Sequence, residues 1–463
     1  MKAAEDLYAL DTHFDTATLA DWKRQIELEL KGGQYSDRMH YRLRGGLVAE
    51  AVGHPETQVV TPGYLAPERA DWVLQQSFVL AGDLVALNRL ILQQLVQGTE
   101  AICLRLPYHE AFLTEPERDY LPMLETVLNG VLPGYIAISF HAGMQGSYVL
   151  GAYIKWLQQH GHDPATVTGA FLWDPYTLAA WSGHWDDADV EQAKDFGLNL
   201  QQLLPGYSWQ AVDGYFYNAC GATGVQELAY ALCALLELGQ PNSDNHLHLR
   251  LASSRNLMTE VAKLRAVRSL WQRLAQQYRP ELTDTPIRLT VVSALWPLAQ
   301  ADPHNNLVRN TLQAIAGVWG GADYLDLQPY NQLNELNDAF GLRLAKNIQL
   351  LLKEESHQNQ VIDPTAGSYT LEQLTHATLE AAHQLAAEIL ATGGLATRLK
   401  TSKLQNEMAA ERERLISRFD TGSEVIVGVN KYKSGEEQPA PVPAFRPAVA
   451  QPNIERITPI RLG

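Results

Sequence analysis

No stretch of this chain approaches the roughly 18 consecutive apolar residues that a spanning helix needs. No charged-then-apolar leader opens it either, since MKAAEDLYALDTHFD carries acids in its place. Both absences lead us to expect a cytoplasmic chain that makes no membrane contact. Cysteine is scarce: Cys103, Cys220 and Cys233 are the three, with no CxxC spacing, and they are expected to be buried free thiols in a reducing compartment. Positive charge is short as well, 36 Lys and Arg against 52 Asp and Glu, a net −16. Such a surface repels nucleic acid and acidic headgroups, and a polyanionic ligand would need a local basic pocket. No GxGxxG turn follows the first strand candidate, which counts against a dinucleotide fold.

What the sequence does have is core and rhythm. Hydrophobic residues make up 46% and charged residues 19%, enough for a large buried interior. From Glu100 onward, short β-rich runs alternate with amphipathic helical stretches. The runs are 100–106, 135–142, 168–175, 209–218, 246–254, 287–296, 324–331 and 361–369. Eight apolar strands, each followed by a helix, predict a parallel (β/α)8 TIM barrel of the α/β class.

Three Asp-Pro pairs, 174–175, 302–303 and 363–364, follow strand candidates. There an Asp can cap a helix and a Pro suits its first position. The pairing suits 302–303 best; after 363–364 the helix is expected to start later, with Thr370 and Gln373 at capping-box spacing. Outside the barrel, residues 1–75 form an N-terminal extension. It holds an amphipathic helix over 19–32, with Leu19, Trp22, Ile26 and Leu30 on one face, then a hairpin-like stretch from Met39 to Val52. The barrel is assigned to 76–418. Residues 419–463 form a C-terminal segment whose QPAPVPAFRPAVAQP run (438–452) reads as an extended Pro-rich tail, with too few residues after it to link to anything.

Candidate chemistry is sparse. His246 and His248 share one side of a strand, as metal ligands can, but they sit at the end of the barrel opposite to where such folds build sites. No metal site is expected. Asp213 and Asp326 stand at strand ends and are better placed. Glu260 and Lys263, at i,i+3 on the helix 256–278 with Arg265 and Arg268, are expected on a solvated or interface-facing side.

Six segments carry a resemblance. TEVAKLRAVRSLW (259–271), ADPHNNLVRNTLQAIAGVWGG (301–321), RLAKNIQLLLKEES (343–356), VIDPTAGSYTLEQLT (361–375), VGVNKY (427–432) and GATGVQELAYAL (221–232) resemble segments of the methylmalonyl-CoA mutase family. The resemblance implies a barrel that binds an acyl-CoA along its axis and a cobalamin-carrying flavodoxin-like domain with a DxHxxG histidine. It also implies a radical interconversion of methylmalonyl-CoA and succinyl-CoA, in propionate metabolism. The cofactor supplies the difficult chemistry.

The departures from that pattern lie in the pocket segments. The family's SGYHxQEAGA reads DGYFYNACGA here (213–222): Tyr215 is kept, Phe216 stands at the catalytic histidine position, and Asn218 replaces glutamine. A phenyl ring can neither donate nor accept the hydrogen bond that an imidazole gives a substrate carbonyl. HxQTSGW becomes Thr290 to Trp296, with Val292 in place of glutamine. TQSLHTN becomes Ala322 to Gln328, with Asp323, Tyr324 and Asp326 introduced. TPGYLAPERADWVLQQSF (61–78) stands where the family threads its substrate, and no DxHxxG occurs; Asp11 and His13 have the first spacing but Thr16 the wrong third residue. The resemblance therefore implies a small, structural subunit of a heterodimeric mutase, without a cobalamin-binding domain or catalytic residues of its own. Adenosylcobalamin would reside in a large catalytic partner subunit. Tyr215, Phe216, Asn218, Thr290, Val292, Asp323 and Tyr324 would mark a vestigial pocket. The alternatives are an active acyl-CoA mutase barrel that uses a separate cobalamin-binding chain, or a repurposed CoA-ester-binding barrel.

Overall fold

The computed structural model describes residues 17–59, 61, 63–107, 118–208, 210–240, 246–433 and 459–460. A helix α1 (Leu19–Glu29) and an antiparallel hairpin, β1 (His40–Arg42) with β2 (Val48–Glu50), precede the barrel. Parallel strands follow: β3 (Val73–Val79), β4 (Ala101–Arg105), β5 (Ala137–His141), β6 (Gly169–Leu172), β7 (Tyr207–Ser208), β8 (Gln210–Asp213), β9 (Leu247–Ser253), β10 (Ile287–Ser293) and β11 (Tyr324–Asp326). Their order in the sheet is β7-β6-β5-β4-β3-β11-β10-β9-β8. β7 pairs with β6 while β8 pairs with β9, and one residue separates β7 from β8. That course of chain joins both ends of the sheet, so eight parallel courses form the barrel.

Helices α2 (Leu84–Val96), α3 (Tyr120–Val127), α4 (Gly146–Gln159), α5 (Pro175–Ser182), α6 (Asp187–Leu203), α7 (Gly214–Ala219), α8 (Gly224–Leu238), α9 (Leu257–Tyr278), α10 (Asn305–Trp319) and α11 (Ala339–Leu350) return the chain from strand to strand. Three more, α12 (Tyr369–Ala391), α13 (Gly394–Lys400) and α14 (Lys403–Asp420), complete the outer layer. Alternation along β9 sets the two sides of the wall. Leu247, Leu249 and Leu251 pack into the core shared with the helices, which leaves His248, Arg250 and Ala252 for the lumen. No helix among the described residues is long and apolar enough to cross a membrane.

Two strand assignments need correction. Residues 361–369 form no strand: Val361 and Ile362 are exposed, and Asp363 takes a left-handed φ of 46°. The missing member is β3, which begins at Val73 and so crosses the expected boundary at residue 75. Its central Gln75, Gln76 and Ser77 look unlike a barrel strand, yet each has a buried partner or a lumen position. Gln76 donates to the Leu342 carbonyl (2.9 Å) and accepts from Thr99 (2.5 Å), and Ser77 donates to Asp326 (2.5 Å).

The Asp-Pro pairs also divide differently. Asp174 caps α5, accepting from Tyr176 and Thr177 with Pro175 in the first turn. Asp302 does not cap α10, whose N-cap position is held by His304; it accepts from the Asn305 side chain instead. Ser368 caps α12, two residues ahead of the expected Thr370. The hairpin lies where the sequence places it. The predicted face of α1 is only half-covered, with Trp22 edge-on to Tyr35 at 5.8 Å. The Pro-rich run lies outside the described residues, but Ile460 beyond it packs back onto the barrel, its N–H on the Ala219 carbonyl (2.7 Å).

Glu260, Lys263 and Arg265 of α9 are not solvated. Lys263 is 1% exposed and touches Glu227 (2.8 Å), Glu260 (2.6 Å) and the Ala252 carbonyl (2.8 Å). Arg265 is equally buried and bridges Asp363 (3.0 Å), Glu372 (2.7 Å) and Thr375 (2.8 Å). The reason is long-range: apart from Glu260, the carboxylates that neutralise these cations come from α8 and from the 361–375 segment, which local spacing cannot reveal.

Candidate functional site at the mouth of the barrel

The C-terminal ends of the strands gather Ser77, Arg105, His141, Asp213, Arg250 and Asp326 around the lumen. Asp213 and Arg250 are paired in register and joined by an ion pair of 2.7 Å, both buried. Arg250 also lies over the Tyr215 ring, 4.4 Å from its centre. The imidazole at this mouth, His141, is 3.9 Å from Asp213. Burial, with Arg105 and Arg250 nearby, outweighs that carboxylate and pushes His141 down to about 3, so it is neutral at physiological pH. Burial raises Asp326, against the bonds from Ser77 and the pull of Arg250 and Arg105. Two guanidiniums thus meet two carboxylates, and the charges are matched within the protein.

Deeper in the lumen, Thr290 faces His248 at 3.0 Å, and burial pushes His248 down to about 3. Tyr324 stands in the lowest layer with Val73, Ala101 and Ala137. Over the mouth, Ile460 joins Ala252, Ala294, Trp296, Leu415 and Tyr215 in an apolar cluster.

The seven sequence-marked residues do not form one pocket. Tyr215 is at the mouth, and Thr290, Val292 and Tyr324 alternate along the lumen wall of β10 and β11. Phe216 points elsewhere, into the helix-side core with Trp181 and Tyr217 at ring distances of 6.3 and 5.9 Å. Asn218 donates to Glu227 (3.1 Å) and accepts from the Trp296 indole (3.1 Å). Asp323 is a correction: it lies below the barrel, bound by Arg268 (2.9 Å) and the Leu289 amide (2.7 Å), and brings no carboxylate to the lumen. Sequence reasoning passed over Arg250, Arg105 and His141. The available signal was an arginine sharing the lumen side with His248 in an otherwise apolar strand.

Among the described residues no group of three or more His, Cys, Asp or Glu side chains could hold a metal ion. The three cysteines are buried and free.

The family model described as methylmalonyl-CoA mutase matches residues 119–462. The chain belongs to the methylmalonyl-CoA mutase family. The methylmalonyl-CoA mutase of Rhizobium meliloti is 35% identical over 249 residues, 51% of this chain and 35% of that protein. The mitochondrial methylmalonyl-CoA mutases of Mus musculus and Homo sapiens are each 33% identical, over 274 and 272 residues, 56% of this chain and 36% of theirs. The match therefore spans about a third of the length of these curated relatives.

Within the family frame, the segments that resemble it are the ones that knot the scaffold together. Glu227 of 221–232 meets Glu260 and Lys263 of 259–271, and Arg265 of that same helix meets Asp363 and Glu372 of 361–375. Arg309 of 301–321 donates to the Val427 carbonyl of 427–432 (2.6 Å). Lys353 and Gln349 of 343–356 hold the carbonyl and indole of Trp72 (2.7 and 3.2 Å). The cofactor that the family implies finds no such match. The mouth offers the ion-paired Arg250, a buried neutral His141 and the Ile460 cluster, and the residue at the histidine position is a phenyl ring packed in the core. This donor set does not fit the cobalamin-dependent chemistry that the resemblance implies.

Proposed function

We propose that this chain is the small, non-catalytic subunit of a heterodimeric adenosylcobalamin-dependent methylmalonyl-CoA mutase, and that its large partner subunit carries cofactor and chemistry. The observation that carries this reading is Phe216, which sits 8% exposed among helix-side core residues and offers the lumen no polar group. Two further features support it. Arg250 and Asp213 satisfy each other side by side on neighbouring strands at the mouth, and Tyr324 puts a bulky ring in the lumen along which the family threads its acyl-CoA. A barrel of this kind retains the helix layer and its ion-pair knots, and with them a rigid surface for a partner.

The test is calorimetry on the isolated chain with methylmalonyl-CoA, succinyl-CoA and adenosylcobalamin. No saturable heat is expected with adenosylcobalamin, and none with either CoA ester that excess pyrophosphate does not abolish. Tight binding of a CoA ester that survives excess pyrophosphate, or turnover when a separate cobalamin-binding protein is added, would replace this reading with an active mutase barrel.

A further inference from the structure

A cavity of about 520 Å³ opens beside the barrel mouth, separate from the lumen. Its wall is built from the hairpin (Arg42, Arg44), the β9 and β10 exits (Arg255, Trp296), α10 (Arg309), the end of α14 (Arg418) and the segment Glu424–Val427. Five guanidiniums line it in a chain whose net charge is −16. The carboxylates on the same wall are fewer. Glu260 is taken by Lys263, and Glu424 is shared between Arg255 and Arg418 (3.1 Å to the latter). Arg44 otherwise spends a donor on the Gly221 carbonyl (2.8 Å), and Arg309 on the Val427 carbonyl and Asn306 (2.7 Å), which are neutral acceptors. Glu411 faces Arg44 from α14 but is bound to Arg414.

The cations also crowd one another. Arg44 and Arg255 both lie against the Trp296 ring, 5.6 and 5.8 Å from its centre. Burial first, and then Arg44 and Arg418, pull Arg255 down to about 10. The Ser254 hydroxyl, buried on the same wall, has no hydrogen-bond partner among the described residues. At the rim, Tyr41, Val308 and Leu312 are exposed apolar surface. Like charges held together in a concave, partly dry site cost free energy, which an anion returns.

We propose that this cavity is a binding site for a small organic phosphate, its oxyanion held by Arg44, Arg255 and Arg418 with the Ser254 hydroxyl donating. Phosphate fits better than a single carboxylate. It brings up to two charges and three acceptor oxygens to a site with several converging forks, and Arg is suited to bidentate contact with it. The volume suits a nucleotide-sized ligand, with the apolar rim left for its organic part. The site lies outside the lumen and does not depend on the subunit assignment.

The experiment is calorimetry on the full chain with pyrophosphate and adenosine diphosphate as probes, and succinate as the carboxylate control. Saturable binding of both phosphates is expected, weakened at least tenfold in Arg44→Met and in Arg255→Met, with succinate at least tenfold weaker than pyrophosphate. Arg255 also anchors Glu424 and the Val425 carbonyl, so its variant could loosen the C-terminal segment. Arg44→Met, with a single backbone acceptor to lose, guards against that, and circular dichroism checks both folds. No saturable heat at millimolar probe, equal affinity for succinate, or unchanged affinity in both folded variants would each overturn the proposal. So would binding only of an acidic peptide.

Discussion

Replacing Lys263 with methionine removes one ammonium and leaves two carboxylates in the dark. Glu227 is fully buried, and its second oxygen contacts the ammonium at 2.8 Å; Glu260 contacts it at 2.6 Å. After the change, Glu227 keeps only the Ala252 amide (2.7 Å) and the Asn218 amide (3.1 Å). Breaking a buried pair by deleting one partner costs about 3–5 kcal/mol, and a methionine of similar volume adds no cavity term. Burial already raises Glu227, and Glu260 adds to that, so the variant can relieve itself by taking up a proton. A carboxyl whose folded value lies above its unfolded one is stabilising at low pH and loses that stability as pH rises through the shifted range. The variant should therefore be about 3–5 kcal/mol weaker than the parent near pH 8 in urea unfolding, with a smaller deficit near pH 5. Adding Glu227→Gln and Glu260→Gln should recover much of the loss. A deficit under about 1 kcal/mol at pH 8, or one independent of pH, would refute the reasoning that this triad holds α8 and α9 together.

Arg265→Met should cost a comparable about 3–5 kcal/mol, because Asp363 and Glu372 lose their shared cation. Arg265→Lys should restore only part, since one ammonium cannot replace a fork bonding on three nitrogens. Equal stability of the Lys variant and the parent in urea would contradict this. Asp174 is pushed up to about 6 by burial, from 3.8. Its folded form holds a proton more tightly than the unfolded chain, so its contribution falls as pH rises from 4 to 6, by up to about 3 kcal/mol. Asp174→Asn should gain on the parent over that window, and a pH-independent difference between the two unfolding curves would argue against it. Gly169→Ala would place a Cβ 2.0 Å from the Ile138 carbonyl oxygen, where β6 meets β5. It should destabilise by at least the about 1–3 kcal/mol of ordinary overpacking, and a parent-like urea midpoint would show that β6 can move away.

Most of the barrel was legible because seven strands are apolar runs between turn residues, a pattern set by burial on both faces. β3 escaped since Gln75, Gln76 and Ser77 break that pattern, and the partners that make their burial tolerable, Leu342, Thr99 and Asp326, lie 23 to 266 residues away. Residues 361–369 misled in the opposite way. Their apolar start is exposed, and Asp363 serves the Arg265 knot. The site was legible in part. The sequence marks which positions lost polar groups, but not that Phe216 turns into the core or that Asp323 faces down. Nor could it show the arginine cavity, whose members come from both flanks, two strand exits and two helices of the barrel. The overall charge of −16 implies only that a polyanion would need such a local basic pocket, and composition has no means of locating one.

The proposed role of this barrel is to support a partner that does the chemistry. Its test is native mass spectrometry of the chain co-expressed with a full-length methylmalonyl-CoA mutase from the same organism. A stable 1:1 complex is predicted, with adenosylcobalamin retained only when the larger chain is present. Homodimers of each chain and no mixed species, with the larger chain fully active alone, would contradict it.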